Sequence, residues 1–215
     1  LLDQDIRPVL LFVGQVNAGK SSLINAITGK NACKTSYGKE TLNVTPVDTP
    51  EYVYMDSPGD VTAVSWLREN ALVVDALVFV TTIDRCFQTQ DEIELFKEAV
   101  AAVRDGRRTN PISLCVAINK IDNPNDPQIL PQVLECQKFV ERVARGIPLQ
   151  HLCTSAVEML AGDCKSMQEW ARVTNSLFDD DWMLRNHKTF VKTLVGIKDI
   201  VDITNICVKQ ISACF

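Results

Sequence analysis

Continuous apolar runs and helically spaced apolar positions take turns along most of this chain. Val9-Leu10-Leu11-Phe12-Val13 has no polar interruption, the pattern of a strand covered on both faces. Beyond it, Leu23, Ile24, Ala26 and Ile27 recur at helical spacing. Read through to the end, the pattern predicts strands near 9–13, 42–47, 51–56, 76–82, 112–118 and 148–153. It predicts helices near 20–29, 62–73, 91–104, 128–145 and 165–177. Such alternation implies an α/β fold, a mainly parallel sheet with helices on both faces. Only Asp48-Thr49-Pro50 separates strands 42–47 and 51–56, so that pair is expected to be an antiparallel hairpin. The acidic run Phe178-Asp179-Asp180-Asp181-Trp182 then breaks the pattern. After it, Phe190, Leu194, Ile197, Val201 and Ile206 suggest an amphipathic helix over about 188–212. Residues 1–177 are expected to form the main domain. Residues 178–215 are expected to be a helical segment, either closing that domain or opening a further region.

A length of 215 residues suits one α/β domain with a sizeable core. The net charge of −5 argues against nonspecific nucleic-acid binding by the whole surface, while leaving room for a local basic patch. No apolar stretch approaches the roughly 20 residues needed to cross a bilayer. No secretory signal is visible, and the abrupt start at Leu1 suits an excised fragment. The eight cysteines contain no C-x-x-C pair. Cys115 and Cys153 fall within strands expected to be buried, which points to free thiols and a cytoplasmic location. Cys214 is not four residues from the end and offers no prenylation signal.

The chemistry is carried by four short segments. Gly14, Gly19, Lys20 and Ser21 fulfil the pattern G-x-x-x-x-G-K-[ST] between the first strand and the first helix. In that setting backbone N–H groups curl around a phosphate chain at the positive end of a helix. Lys20 then reaches the β- and γ-phosphates, and the Ser21 hydroxyl ligates Mg²⁺. Asp56-Ser57-Pro58-Gly59 follows the third strand. Asp56 is placed to hold Mg²⁺ through water, and the Gly59 N–H to meet a γ-phosphate. Asn119-Lys120-Ile121-Asp122 follows the fifth strand. A carboxylate there can accept from both the ring N–H and the exocyclic amine of guanine, a pair of donors that adenine lacks. Thr154-Ser155-Ala156 ends another apolar segment, where small residues let backbone N–H groups approach the guanine carbonyl. Asn119-Lys120-Ile121-Asp122 disfavours the alternative of an ATP-dependent kinase with the same loop.

Taken in order, GQVNAGKS, DSPG, NKID and TSA resemble the translation-factor-related class of GTPases, and within it the Era-like group. The wording of residues 14–25 is similar to bacterial Era-like domains that precede a hydrophobic, membrane-associated C-terminal region. The resemblance spans residues 14–156 and implies a P-loop fold whose six-stranded sheet has one antiparallel edge. It implies GTP and GDP as ligands, hydrolysis of GTP to GDP and phosphate, and Mg²⁺ held by Ser21, Asp56 and a switch-loop threonine. Thr41 is the choice for that threonine because it directly precedes the edge strand; Thr35 and Thr45 are rivals. By the same resemblance Asn17, Ala18, Gly19, Lys20, Ser21 and Ser22 face the phosphates. Asn119, Lys120, Asp122, Ser155 and Ala156 face the base, and Lys20, Thr41 and Gly59 act in hydrolysis.

Three positions depart from the pattern or leave it open. Asp60 stands where Ras-like relatives carry a water-orienting glutamine and Era-like members an apolar residue. It is expected to be a solvated loop residue, with slow intrinsic hydrolysis. Val16 replaces a small residue of the loop, which hinders an arginine supplied by a partner. Asn17 matches the asparagine of cation-dependent GTPases, making K⁺ a candidate cofactor; the other reading is a turn residue. Two function classes stay open: a switch or assembly factor, with loops around 31–45 and 59–70 that change order with the γ-phosphate, and a nucleotide-binding structural module that hydrolyses little. A protein partner or a second copy at those loops, and peripheral membrane or ribosome association, are candidates.

Overall fold

A computed structural model describes residues 7–35, 43–105, 111–123, 125–160 and 164–178. The expected helix over 188–212 and Thr41 both lie outside these residues. Six strands form one sheet: β1 (Val9–Val13), β2 (Thr45–Asp48), β3 (Val53–Asp56), β4 (Ala76–Thr82), β5 (Ser113–Asn119) and β6 (Leu149–Cys153). Their order is β2-β3-β1-β4-β5-β6. The β2–β3 pair is antiparallel and every other pair is parallel. The helices are α1 (Lys20–Thr28), α2 (Val61–Glu69), α3 (Gln90–Arg104), α4 (Ile129–Val143), α5 (Ala156–Leu160) and α6 (Cys164–Leu177). The described residues through Leu177 belong to one compact unit.

Burial explains why the central strands read as continuous apolar runs. All seven residues of β4 are buried, because helices cover both of its faces. On one face Phe79 meets Phe96 of α3 edge-on at 4.9 Å, and Phe87 joins them and Phe139 of α4. On the other face Phe12 packs beside Tyr54 and Trp170 of α6, with ring centroids 6.1 and 6.0 Å away. Edge strands read less clearly. β2 buries only Val47, and it begins at Thr45 rather than at residue 42. β6 is partly covered and leaves Cys153 exposed, so the expectation of a buried thiol there fails. Cys115, in the interior strand β5, is fully buried as expected.

Helix α2 stops four residues earlier than its apolar pattern suggested. Asn70 ends it: its backbone N–H and its side-chain Nδ2 both donate to the Trp66 carbonyl, each at 2.9 Å. Leu72 and Val73 then fall in a turn and stay exposed. No described helix is long and apolar enough to cross a membrane.

The topology places the functional segments together. The chain leaves β1 for β3 on one side of the sheet and later takes up β4 on β1's other side. The crevice beyond the C-terminal ends of β1 and β4 is therefore the topological switch point, where open α/β sheets bind ligands. Because β1, β3, β4, β5 and β6 run parallel, the segments following each of them emerge at one edge of the sheet.

Candidate nucleotide-binding site

Glycine makes the loop after β1 possible. Gly14 has φ 152°, and a Cβ there would run into the Val80 carbonyl oxygen and come within 3.1 Å of its carbon. Gly19 has φ 92°, and a Cβ would strike the Asn119 side-chain amide. Asn17 is exposed at the turn with φ 64°, a left-handed conformation that asparagine tolerates. The loop closes on itself through Ala18 N–H to the Gln15 carbonyl at 3.1 Å, and α1 begins with Leu23 N–H on the Gly19 carbonyl at 2.8 Å.

Lys20 lies back along this loop. Its Nζ donates to the Gly14 and Gln15 carbonyls at 2.9 and 3.2 Å, and the residue is only 7% exposed. Burial holds its ammonium down to about 8, while the negative charges of Asp56 and Asp60 work in the opposite direction. An anion beside this ammonium relieves the cost of its burial, so the loop suits a polyanion.

Ser21 and Asp56 meet across the β1–β3 side of the site. The Ser21 hydroxyl donates to Asp56 Oδ2 at 2.7 Å. Adjacent oxygens around Mg²⁺ lie about 2.9 Å apart if metal–oxygen distances are 2.0–2.1 Å and the geometry is octahedral. A hydroxyl and a carboxylate at this separation fit such a cation. Asp56 is buried, with Cys33 beside it; burial first and Asp56 second push that thiol up to about 12. Asn25 ties down the chain after α1, exchanging hydrogen bonds of 2.8 Å with both the N–H and the carbonyl of Cys33. Of the threonine rivals, Thr35 is exposed and Thr45 is exposed in β2.

The segment after Asp56 abuts the phosphate-type loop. Ser57 donates to the Phe12 carbonyl, and a Cβ on Gly59 would come 2.7 Å from Val16 Cα. Asp60 corrects the sequence-based expectation. It is the N-cap of α2, its carboxylate accepting from the Thr62 N–H at 3.0 Å. A cap satisfies an otherwise orphaned helix donor, which gives this carboxylate a structural job.

Asn119 joins three segments. Its Nδ2 donates to the Ala18 carbonyl and its Oδ1 accepts from the Ala156 N–H, both at 3.1 Å. Lys120 follows with φ 63° and an exposed side chain. The Ser155 hydroxyl donates to Asp122 Oδ1 at 2.7 Å, orienting an exposed carboxylate with a buried partner. The strand-edge bonds Ile121 N–H to Thr154 O and Thr154 N–H to Ile118 O set this register. Ala156 opens α5, a helix that the sequence reading of Thr154-Ser155-Ala156 as a small-residue motif did not include.

Two residues absent from the motifs bear on the site, Arg85 by contact and Glu92 through the segment that carries Arg85. Arg85, in the loop after β4, donates from Nη1 to the Val16 carbonyl at 3.1 Å and to Gln15 Oε1 at 3.3 Å. Glu92 is fully buried and accepts from Thr81 Oγ1 at 2.8 Å and from the Phe87 N–H at 2.9 Å. The available signal was a single arginine just past a fully buried strand that ends in Thr81 and Thr82, at the switch point. Glu92 was masked by a local pattern, since Thr89-x-x-Glu92 reads as a capping box.

The sequence profile described as "50S ribosome-binding GTPase" matches residues 9–120, more than half of the chain. Translation initiation factor IF-2 from Dinoroseobacter shibae is 30% identical over 147 residues, which is 65% of this chain and 17% of that protein. IF-2 from Chloroflexus aggregans is 28% identical over 151 residues, covering 67% of this chain and 19% of that protein. The chain thus spans less than a fifth of the length of these curated relatives. Among solved structures, bacterial selenocysteine-specific elongation factor EF-Sec superposes with a TM-score of 0.58 at 17% identity, over 80% of this chain and 29% of that one. A probable GTP-binding protein engB superposes with a TM-score of 0.55 at 21% identity, over 79% of this chain and 98% of that one. These likenesses establish the α/β P-loop NTPase fold.

Proposed function

The chain belongs to the family of 50S ribosome-binding GTPases, the translation-factor-related class, and from that premise we propose that it is a slow, Mg²⁺-dependent GTPase acting as a nucleotide-controlled switch or assembly factor. The observation that carries this reading is the contact between Gly59 and Val16, beside the Ser21–Asp56 pair. The segment that leads into α2 rests directly on the phosphate-type loop, so a γ-phosphate arriving there has to be accommodated by both. Asn17, Ala18, Gly19, Lys20, Ser21 and Ser22 surround the phosphates in this reading. Asn119, Lys120, Asp122, Ser155 and Ala156 hold guanine.

Ser21 and Asp56 would hold Mg²⁺, with Thr41, ahead of β2 in the sequence, as their proposed third partner. Bound there, the cation would supply charge neutralisation for the β- and γ-phosphates. Lys20, the loop amides and the Gly59 N–H supply the remaining fixed positive charge. K⁺ beside Asn17 is a proposed further cation; the left-handed backbone of Asn17 suits a turn role equally, and rates in K⁺ and Na⁺ at equal ionic strength separate the two. Residues 1–177 are proposed as the GTP-binding domain and 178–215 as its helical continuation. Similarity to the Era-like wording supports a peripheral membrane or ribosomal site of action, in the cytoplasm, with a protein partner or second copy at the switch loops.

The second reading, a binding module with little hydrolysis, draws on Asp60. With its carboxylate engaged as a helix cap, the position after Gly59 offers no group to orient water. Phosphate release from GTP under single-turnover conditions decides between the two, with ATP as control. Release at a slow but measurable rate, specific to GTP, is expected for the switch. Tight GTP binding without release would overturn it in favour of the module.

A further inference from the structure

The loop Ile83–Phe87 between β4 and α3 is held far more firmly than a connection requires. Arg85 and Cys86 N–H groups both donate to the Thr82 carbonyl, at 3.0 and 2.9 Å. Ile83 N–H is tied to the Asn119 carbonyl at 3.0 Å. Cys86 and Phe87 both adopt left-handed backbone, with φ 39° and 63°, a conformation that side chains of their size resist. What sustains it is the buried Glu92 carboxylate on the Phe87 N–H, together with the Phe87 ring packed among Phe79, Phe96 and Phe139. A strained turn fixed by a buried carboxylate is an expense for the fold, and it places Arg85 on Gln15 and Val16.

We propose that Arg85 is a built-in positioning residue for cleavage of the γ-phosphate, acting through the Val16–Asn17 peptide. This rests on the reading of the loop 14–21 as the cradle of GTP. The described chain has no cis peptide bonds, so the carbonyl of Val16 and the N–H of Asn17 point in opposite directions. Arg85 grips that carbonyl from one side and so holds the Asn17 N–H to the other, which in this proposal is the side of the phosphate chain. A guanidinium on the carbonyl also polarises the peptide and strengthens its N–H as a donor. In phosphoryl transfer, negative charge moves toward the leaving oxygen, so an oriented and strengthened donor counts most in the transition state. The arginine comes from the same chain, which also accommodates Val16: no partner has to push a side chain past it.

The test compares the parent chain with Arg85→Ala and Arg85→Lys in three measurements: single-turnover hydrolysis at saturating GTP, GDP affinity, and thermal unfolding. The expected result is hydrolysis slowed about tenfold to a hundredfold in Arg85→Ala. GDP affinity should stay within about threefold and the unfolding temperature should be essentially unchanged, because the effect belongs to the transition state. Arg85→Lys, which keeps one charged donor, should lie between the two. Equal hydrolysis by parent and Arg85→Ala overturns the role of Arg85 alone. So does a loss of GDP affinity and thermal stability in proportion to rate, which marks a structural buttress. A parent that binds GTP and releases no phosphate overturns the hydrolysis reading itself.

Discussion

At the Lys20 end of the crevice the phosphate-type loop is made of backbone held by glycines, whereas at the Asp122 end the site is made by side chains that hydrogen-bond to backbone and to one another. Gly14 and Gly59 leave no room for a Cβ, and the lysine rests on main-chain carbonyls. At the other end Asn119 bridges Ala18 and Ala156, and Ser155 orients Asp122, all by side-chain hydrogen bonds. The contrast has a chemical logic. A phosphate chain is recognised by charge and by many equivalent N–H donors, which only close backbone approach supplies. A base is recognised by a particular pattern of donors and acceptors, which side chains can present and evolution can exchange. Substitutions of the glycines should therefore be felt as structural failure at one end, and substitutions of the side chains as altered affinity or selectivity at the other.

The largest effect is expected at Gly14. In Gly14→Ala the new methyl meets the Val80 carbonyl, and φ of 152° is unsuited to alanine. A loss of about 3 kcal/mol or more of stability is expected from the combined strain and overpacking. Urea unfolding measures it; a loss under about 1 kcal/mol would mean that the loop adapts and that the contrast between the two ends is overstated.

Lys20→Ala comes next, and it separates fold from binding within the backbone-built end. Losing a charged donor to phosphate should weaken GTP affinity about a hundredfold or more. Stability should hold, since only two carbonyls lose a partner at a site open to the ligand. Titration with a fluorescent GTP analogue gives the answer, and parental affinity would show that the loop does not cradle phosphate.

At the side-chain-built end the expected changes are smaller and of a different kind. Asp122→Asn should cost about 1–3 kcal/mol of GTP binding and turn preference toward xanthine nucleotides, whose ring presents the complementary acceptor. Unaltered GTP affinity would remove Asp122 from the base site. Ser155→Ala should cost about 1 kcal/mol through a looser Asp122, with guanine still preferred over xanthine. A switch of preference in Ser155→Ala would mean that the serine itself reads the base.

The two ends also differ in how openly the sequence displays them. The loop 14–21 is contiguous, and its flanking strand and helix are unambiguous: β1 has the predicted bounds and α1 ends within one residue of them. Thr154–Ala156 was recognised as a motif while α5, which begins inside it, went unseen. Five helical residues carry too little periodicity to register. The end of α2 was missed because Ala71, Leu72 and Val73 continue the apolar pattern, and Asn70 decides the matter through its bonds to Trp66. Arg85 lies 69 residues from Val16, so no local pattern announces the pairing. Glu92 shows a different failure: both of its partners, Thr81 and Phe87, lie nearby in sequence, yet a glutamate in the first turn of a helix reads as an ordinary exposed charge.

Glu92 also offers the smallest and most exacting test, because it asks whether the backbone-built end depends on a buried charge. Its carboxyl is raised above the ordinary value of 4.5, first by burial, with hydrogen bonds from Thr81 and the Phe87 N–H and the charge of Arg85 pulling it back. An acid raised in the folded state binds its proton more tightly there than in the unfolded chain. Between 4.5 and the raised value the native state therefore carries more protons, and stability rises as pH falls through that window. Above the window the carboxylate is ionised in both states and the contribution is level. Glu92→Gln keeps the shape and lacks the proton equilibrium. The difference in urea midpoint, parent minus Glu92→Gln, should be constant near neutral pH and should grow in the parent's favour on acidification into the window. A difference that shrinks instead would mean that hydrogen bonds and Arg85 outweigh burial. Glu92 would then be a stabilised anion anchoring the Arg85 loop, rather than a buried charge that the fold tolerates.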